Sequence, residues 1–275
     1  GGVMQLPAVR AARSLGWRVS VAGREIVDEV AALCHRTVHV DLRDREAVER
    51  EALGLRDAEG LDGVFTAGTD FSTTVAWVAE RLGLPGIPYA CAQDATDKAR
   101  MRAVFDRAGV PSPRFYTVQA GEPDRPAMPS GFGFPLVVKP VDNMGARGVR
   151  RVDDEGELRG ALDQALRESR CGRAIVEEYL DGPELSLDAL VHAGRVSVCG
   201  VADRHIRFAP YFVEMGHTMP SALGRGELRA AEEVFRRGIA ALGIREGAAK
   251  GDVKITPRGA VVGEIAARLS GGYMS

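Results

Sequence analysis

The sequence predicts an α/β layer built on a parallel sheet, followed by a strand-rich α+β region. Three observations carry this. Residues 1–95 alternate short apolar strands with amphipathic helices, the pattern of a parallel sheet covered by helices. Gly109, followed by Pro111 and Pro113, gives a strong helix stop. From Phe134 onward strands outnumber helices. The boundary between the two regions is therefore placed near residue 110.

In the first region helical spacing covers 5–15, 25–33, 45–53 and 71–82, and strands are predicted at 18–22, 37–40 and 63–67. Pro85, Gly86 and Pro88 punctuate its end. One helix is predicted over 96–108, beside the capping residues Asp94 and Thr96. Residues 119–131, rich in Pro and Gly, read as a surface loop. Beyond them, strands are predicted at 136–139, 174–178, 185–191, 196–202, 248–256 and 260–266, with helices at 155–168 and 227–242.

Composition narrows the function classes. At 45% hydrophobic and 27% charged, the 275 residues can bury a core, which excludes a disordered or fibrous chain. Lys plus Arg (36) nearly balances Asp plus Glu (38), so nothing draws the chain to nucleic acid or an anionic membrane. No apolar run approaches the ~20 residues of a membrane span. Cys34, Cys91, Cys171 and Cys199 form no CxxC pair, so reduced thiols in a cytoplasmic protein are expected. The opening Gly1-Gly2 and closing Gly271-Gly272-Tyr273-Met274-Ser275 read as loop, and a fragment lacking a first strand and a C-terminal portion is expected.

Three stretches carry chemistry. Phe134–Lys139 is an apolar strand ending on a lysine, followed by the glycine-bearing loop 142–149, which leads into another strand. Such a strand delivers a positive charge to a fixed place, and the loop's N–H groups can fold over phosphate oxygens; an ordinary hairpin turn fits equally well. Next, Glu177-Glu178-Tyr179-Leu180 runs through Asp181-Gly182-Pro183 to Glu184. Its extended backbone can meet the edge of a base, and Glu184 can accept from ribose hydroxyls; an acidic strand facing water is the alternative. Finally, if Pro257-Arg258-Gly259 is a hairpin loop, Thr256 pairs with Ala260 and Asp252 falls opposite Glu264 on one face. Like charges in that register repel, and a hard cation with oxygen ligands would reconcile them. Lys250 and Lys254 share the face and could neutralise the acids themselves. Arg268 follows, suited to a phosphoryl or carboxylate group, and then Ser270-Gly271-Gly272, which permits close backbone approach.

Lys98, Lys139 with its glycine loop, Glu-Glu-Tyr-Leu with Glu184, then Asp252, Glu264 and Arg268, in that order, resemble the ATP-grasp superfamily. The likeness is greatest to the branch of biotin carboxylase, the carbamoyl-phosphate synthetase large subunit and carboxylate–amine ligases. The resemblance implies a Rossmann-like pre-ATP-grasp domain at 1–92, a linker helix at 93–110 and an ATP-grasp domain with mainly antiparallel sheets at 111–275. It implies an ADP-forming ligase using ATP and Mg²⁺ (or Mn²⁺) to turn a carboxylate into an acyl phosphate that an amine attacks. Lys98 and Lys139 would bind phosphates under a loop bearing Gly145, Arg147 and Gly148. Glu177, Glu178, Tyr179 and Leu180 would meet the adenine and Glu184 the ribose. Asp252 and Glu264 would hold the metal, and Arg268 and Lys139 would serve the transfer. Partners would be a small carboxylate and amine, selected in part by Gly68-Thr69-Asp70, with no nucleic acid or membrane; a homodimer is compatible. Two departures stand out: Asp252 where Glu is commoner, and Ala266 where many members carry a metal-binding Asn. His217 matches a segment near the acceptor side in relatives. Bicarbonate activation and a nucleotide-binding module without ligase activity are the rival readings. A dehydrogenase built on the opening glycines leaves the paired acids unexplained.

Overall fold

The computed structural model describes residues 1–121 and 128–271. Its first region runs through α1 (Leu6–Ser14), β1 (Ser20–Gly23), α2 (Asp28–Ala31), β2 (Arg36–His39), α3 (Arg45–Glu59) and α4 (Ser72–Leu82). β1 and β2 pair in parallel, Ser20 beside Arg36 through Gly23 beside His39. Asp44 starts α3 by accepting from the Ala47 N–H. The strand expected at 63–67 does not form; Ala67 alone makes a parallel bridge, to Leu269. β1 and β2 satisfy each other, and no described strand lies beside 63–67 to complete a ladder. The helix expected at 25–33 shrinks to α2 because Val27 is extended and donates its N–H to Gly1 O.

The helix expected over 96–108 forms as α6 (Lys98–Arg107), and an additional helix, α5 (Tyr89–Thr96), precedes it. Asp97 is extended between them, and its carboxylate accepts from the N–H groups of Ala99 and Arg100. The cap is thus Asp97 rather than Asp94 or Thr96, whose hydroxyl donates back to Ala92 O within α5. Lys98 N–H donates to Val141 O, which seats the start of α6 on the next sheet.

That sheet comprises β3 (Phe115–Gln119), β4 (Leu136–Pro140), β5 (Arg150–Val152) and, after α7 (Glu155–Glu168), β6 (Arg173–Glu178). It is antiparallel in the order β3-β6-β4-β5. Leu136, Val138 and Val176 on one face pack with Ala161 and Leu162 of α7. Val137, Lys139 and Glu177 open into a cavity.

A second antiparallel sheet follows, from β7 (Glu184–His192), β8 (Arg195–Arg207), β9 (Val213–Thr218), then, past α8 (Arg225–Ala241), β10 (Gly247–Thr256) and β11 (Gly259–Ala266). Its order is β11-β10-β7-β8-β9. Leu185, Leu187, Ala249 and Val253 pack in one core with Phe235 and Ile239 of α8 and with Met101 and Phe105 of α6. α8 lies close on this sheet: a Cβ at Gly251 would stand 2.5 Å from the Phe235 ring. The opposite face turns toward the first sheet across a cavity of about 710 Å³. The fold is therefore the expected one, a parallel α/β unit followed by mainly antiparallel sheets. β3 and β9 are additions, β9 being an exposed edge strand whose pairing skips Met215.

Candidate active site

The polar face of the second sheet is the floor of the cavity. Along β7 stand Glu184, Ser186 and Asp188, and directly opposite on β10 stand Lys254, Asp252 and Lys250. Asp252 in turn faces Glu264 on β11. The register reaches that pair by an unexpected route. Thr256 pairs with Gly259 rather than Ala260, so the hairpin loop is Pro257-Arg258 alone. A β-bulge between Asp252 and Val253, opposite Gly263, then shifts the ladder by one residue and restores Asp252 to Glu264.

Each acid is met by cations. Asp252 pairs with Lys250 and, at 3.1 Å, with Arg204 Nη1. Glu264 Oε2 lies 3.7 Å from Lys98 Nζ. Burial alone would raise the Glu264 carboxyl, but Lys98, Lys250, Lys139 and Arg268 outweigh it and hold it at about 2. Asp252 is likewise pushed up by burial and by Glu264, yet Arg204 and Lys250 bring it below the ordinary carboxylate value. Glu184 pairs with Arg204 and, at 3.5 Å, with Lys254.

On the facing sheet Lys139 Nζ sits 2.7 Å from Glu177 Oε2. Burial lowers the Lys139 ammonium, and neighbouring Arg102 and Lys98 lower it further against the pull of Glu177. It is Lys98, rather than Lys139, that directly faces Glu264. Lys98 Nζ also donates to Asn143 O at 2.8 Å, so α6 holds the base of the glycine loop. Within that loop Gly145, Ala146 and Gly148 are left-handed. At Gly148 a Cβ would meet Pro140 at 2.9 Å and Glu168 at 3.0 Å, so only glycine fits. Arg147 points outward, 3.8 Å from Asp70. Asp70 also lies 3.3 Å from Arg170, and its loop meets the last strand where Gly68 N–H donates to Leu269 O.

The segment expected to meet a base follows β6. The Glu178 and Tyr179 N–H groups donate to Arg114 O and Pro135 O, and the Leu180 C=O accepts from Lys254. Among the described residues the Leu180 N–H has no protein acceptor. The Glu178 carboxylate is taken by Arg114 and Arg258, so it is not free for a ligand. The Glu177 carboxylate is likewise committed, to Lys139 and Arg102. Arg268 has no ion-pair partner among the described residues; its guanidinium donates to Leu269 O and Met144 Sδ. His217 opens on the same cavity with Nε2 3.9 Å from Glu214. Of the closing glycine pair, Gly272 lies outside the described residues.

Three functional neighbours escaped the sequence reading: Arg102, Arg204 and Asp188. Asp188 accepts from both the N–H and the hydroxyl of Ser270, at 3.1 and 2.8 Å, and so holds the segment after Arg268. A strand-borne Asp at i, i+2 from Ser186 and Glu184 was the available signal for Asp188. Neither arginine had one.

The donor set suits a small hard cation that nucleotide shares. Among the described residues no group of three or more His, Cys, Asp or Glu could enclose an ion. Asp252 and Glu264 supply two carboxylates on one face, which leaves the other positions to phosphate oxygens and water, as Mg²⁺ prefers.

Residues 132–275 match the model of the ATP-grasp domain, and residues 9–86 that of the ATP-grasp N-terminal domain. A D-alanine--D-alanine ligase from Azoarcus sp. is 30% identical over 80% of this chain and 73% of its own length. Carnosine synthase 1 from Gallus gallus is 28% identical over the whole chain, which spans 32% of that protein. Among solved structures, an L-amino acid ligase from Bacillus licheniformis superposes with a TM-score of 0.82 at 25% identity, covering 96% of this chain and 64% of that one. The chain thus spans about a third to two thirds of the length of several of its relatives.

Proposed function

The chain belongs to the ATP-grasp superfamily, and on that premise we propose that it is an ADP-forming ligase joining a small carboxylate to an amine. The observation that carries the reading is the pair Asp252 and Glu264, set opposite each other on a floor ringed by Lys98, Lys139 and Arg268. Adenine would lie against the 178–180 backbone, its edge accepting from the Leu180 N–H. Glu184 would turn from Lys254 and Arg204 to the ribose. Lys139 and Lys98 would bind phosphates, and the loop at 143–148 would lie over them with Arg147 on its outer side. Asp252 and Glu264 would hold Mg²⁺ or Mn²⁺, which when bound neutralises phosphate charge and orients the γ-phosphoryl group.

The substrate carboxylate attacks the γ-phosphorus, ADP leaves, and an amine then displaces phosphate from the acyl phosphate. The protein's share is positioning and charge. Arg268, without an ion-pair partner among the described residues, would bind the transferred phosphoryl or the carboxylate bidentately. Relatives named D-alanine--D-alanine ligase and alanine--anticapsin ligase support an amine acceptor, while a carbamoyl phosphate synthase large chain is similar too and keeps bicarbonate as the rival. No described helix is long and apolar enough to cross a membrane. The test is phosphate and ADP release with ATP, Mg²⁺ and pooled carboxylic and amino acids. Amine-dependent release that disappears in Lys139→Ala, with the fold intact by circular dichroism, is expected. Undiminished turnover in that variant refutes the phosphate role of Lys139.

A further inference from the structure

Arg102 heads the fully buried side chains of the described residues by size, at 1% exposure. It lies one helical turn after Lys98 on α6, on the same face. Its Nε is ion-paired with Glu177 Oε1 at 2.9 Å, without the alignment of a hydrogen bond, and Nη2 donates to the Gly263 carbonyl. The other oxygen of Glu177 is the one that holds Lys139. Gly263 is the extra residue of the bulge that brings Glu264 opposite Asp252. One buried cation thus reaches the carboxylate that seats Lys139 on the first sheet and the backbone kink that aims Glu264 on the second. An apolar side chain would fill a core position between α6 and these sheets with less desolvation. What the guanidinium adds is a two-armed planar link that no apolar residue and no lysine can supply.

We infer that Arg102 is a positioning residue: it anchors the Gly263 bulge to Glu177, so that Glu264 and Lys139 keep one fixed spacing. The inference rests on the reading that Asp252 and Glu264 hold a divalent ion and Lys139 the nucleotide. If it holds, loss of the anchor frees the bulge, Glu264 leaves its register with Asp252, and the ion is held less tightly. Nucleotide contacts on the first sheet survive wherever Glu177 stays compensated.

The test uses the full chain and its Arg102→Lys, Arg102→Met and Arg102→Met/Glu177→Gln variants. Mn²⁺ affinity in the presence of ATP is read by electron spin resonance, and ATP affinity in chelator by calorimetry. Arg102→Lys keeps a cation for Glu177 but lacks the second arm, and the double variant removes both charges together. Both should retain ATP affinity in chelator near the unmodified level while Mn²⁺ affinity falls about tenfold or more, as for other groups that orient metal ligands. Arg102→Met alone, which strands Glu177, should lose both affinities or fail to fold; the other two variants then carry the test. A purely structural role lowers the melting temperature without separating the two affinities. Unchanged Mn²⁺ affinity in folded Arg102→Lys and in the double variant overturns the inference. An unmodified chain that binds neither ATP nor Mn²⁺ overturns the site reading, and this inference with it.

Discussion

Replacing Gly182 by alanine should weaken both the fold and the nucleotide site, and the two effects share one cause. Gly182 sits in the turn between Leu180 and Glu184 with φ +130°. A Cβ there would stand 1.9 Å from the Ile255 carbonyl oxygen. Neither partner moves freely, because Ile255 N–H donates to Pro183 O at 3.0 Å and Lys254 donates to Leu180 O at 3.1 Å. Backbone strain at such a φ costs about 1–3 kcal/mol, and forcing an atom into a filled space about as much again. Together they come to about 4 kcal/mol, a fall of ~8–16 °C in melting temperature for a chain of this size. Gly259→Ala separates the two contributions. Gly259 has φ +105° but nothing within 4 Å of an added Cβ, so it should lose only the strain, about 1–3 kcal/mol. Equilibrium urea unfolding of both variants measures the difference, and ATP affinity should fall in Gly182→Ala alone. Equal losses in the two variants, or a loss below about 1 kcal/mol at Gly182, would show that the turn relaxes, and would refute the argument.

Other outcomes follow from the same geometry. Because cations hold Glu264 at about 2, below its ordinary value, its ionised form contributes stability above the unfolded pKa of about 4.3 that is lost as pH falls toward 2. In chelator, unmodified chain should therefore exceed Glu264→Gln in stability near neutral pH, the gap narrowing below about pH 4.3; a gap that widens on acidification contradicts the charge assignment. Asp188→Ala removes the acceptor of the Ser270 N–H and hydroxyl bonds and should cost about 1–3 kcal/mol. Asp188→Asn, which keeps an acceptor oxygen, should cost clearly less by urea unfolding, and equal losses in the two variants would discount those bonds.

Much of the site was legible because its residues are marked by local pattern. A lysine closing an apolar strand, glycines at left-handed positions and acids on alternating runs all declare themselves along the chain. The pairing of Asp252 with Glu264 was legible for a less secure reason. The expected three-residue hairpin loop is a two-residue loop, and the bulge at Gly263 cancels that one-residue error before the acids are reached. A bulge leaves no periodic trace, since it is a single residue whose unpaired state depends on what holds it. The failed strand at 63–67 has the same origin: its composition is strand-like, but a strand requires a neighbour, and pairing partners lie far away in sequence.

The residues that stayed hidden are those whose role lies in tertiary contact alone. Arg102 and Arg204 look like any arginine on an amphipathic helix or an edge-proximal strand, yet each holds acids of the site. Arg204 meets Glu184, Glu214 and Asp252; Arg102 meets Glu177. Lys250 realises the alternative in which lysine neutralises the pair, and still both carboxylates open on the shared cavity. The two readings are therefore not exclusive. Acids compensated by their own cations can stand opposite each other in a stable sheet, and a divalent ion arriving with phosphate would exchange those partners rather than repair a destabilised fold. On this argument Lys98, the cation released from Glu264, is one that would bind the incoming phosphates, so that ion pair would be replaced by one at the nucleotide.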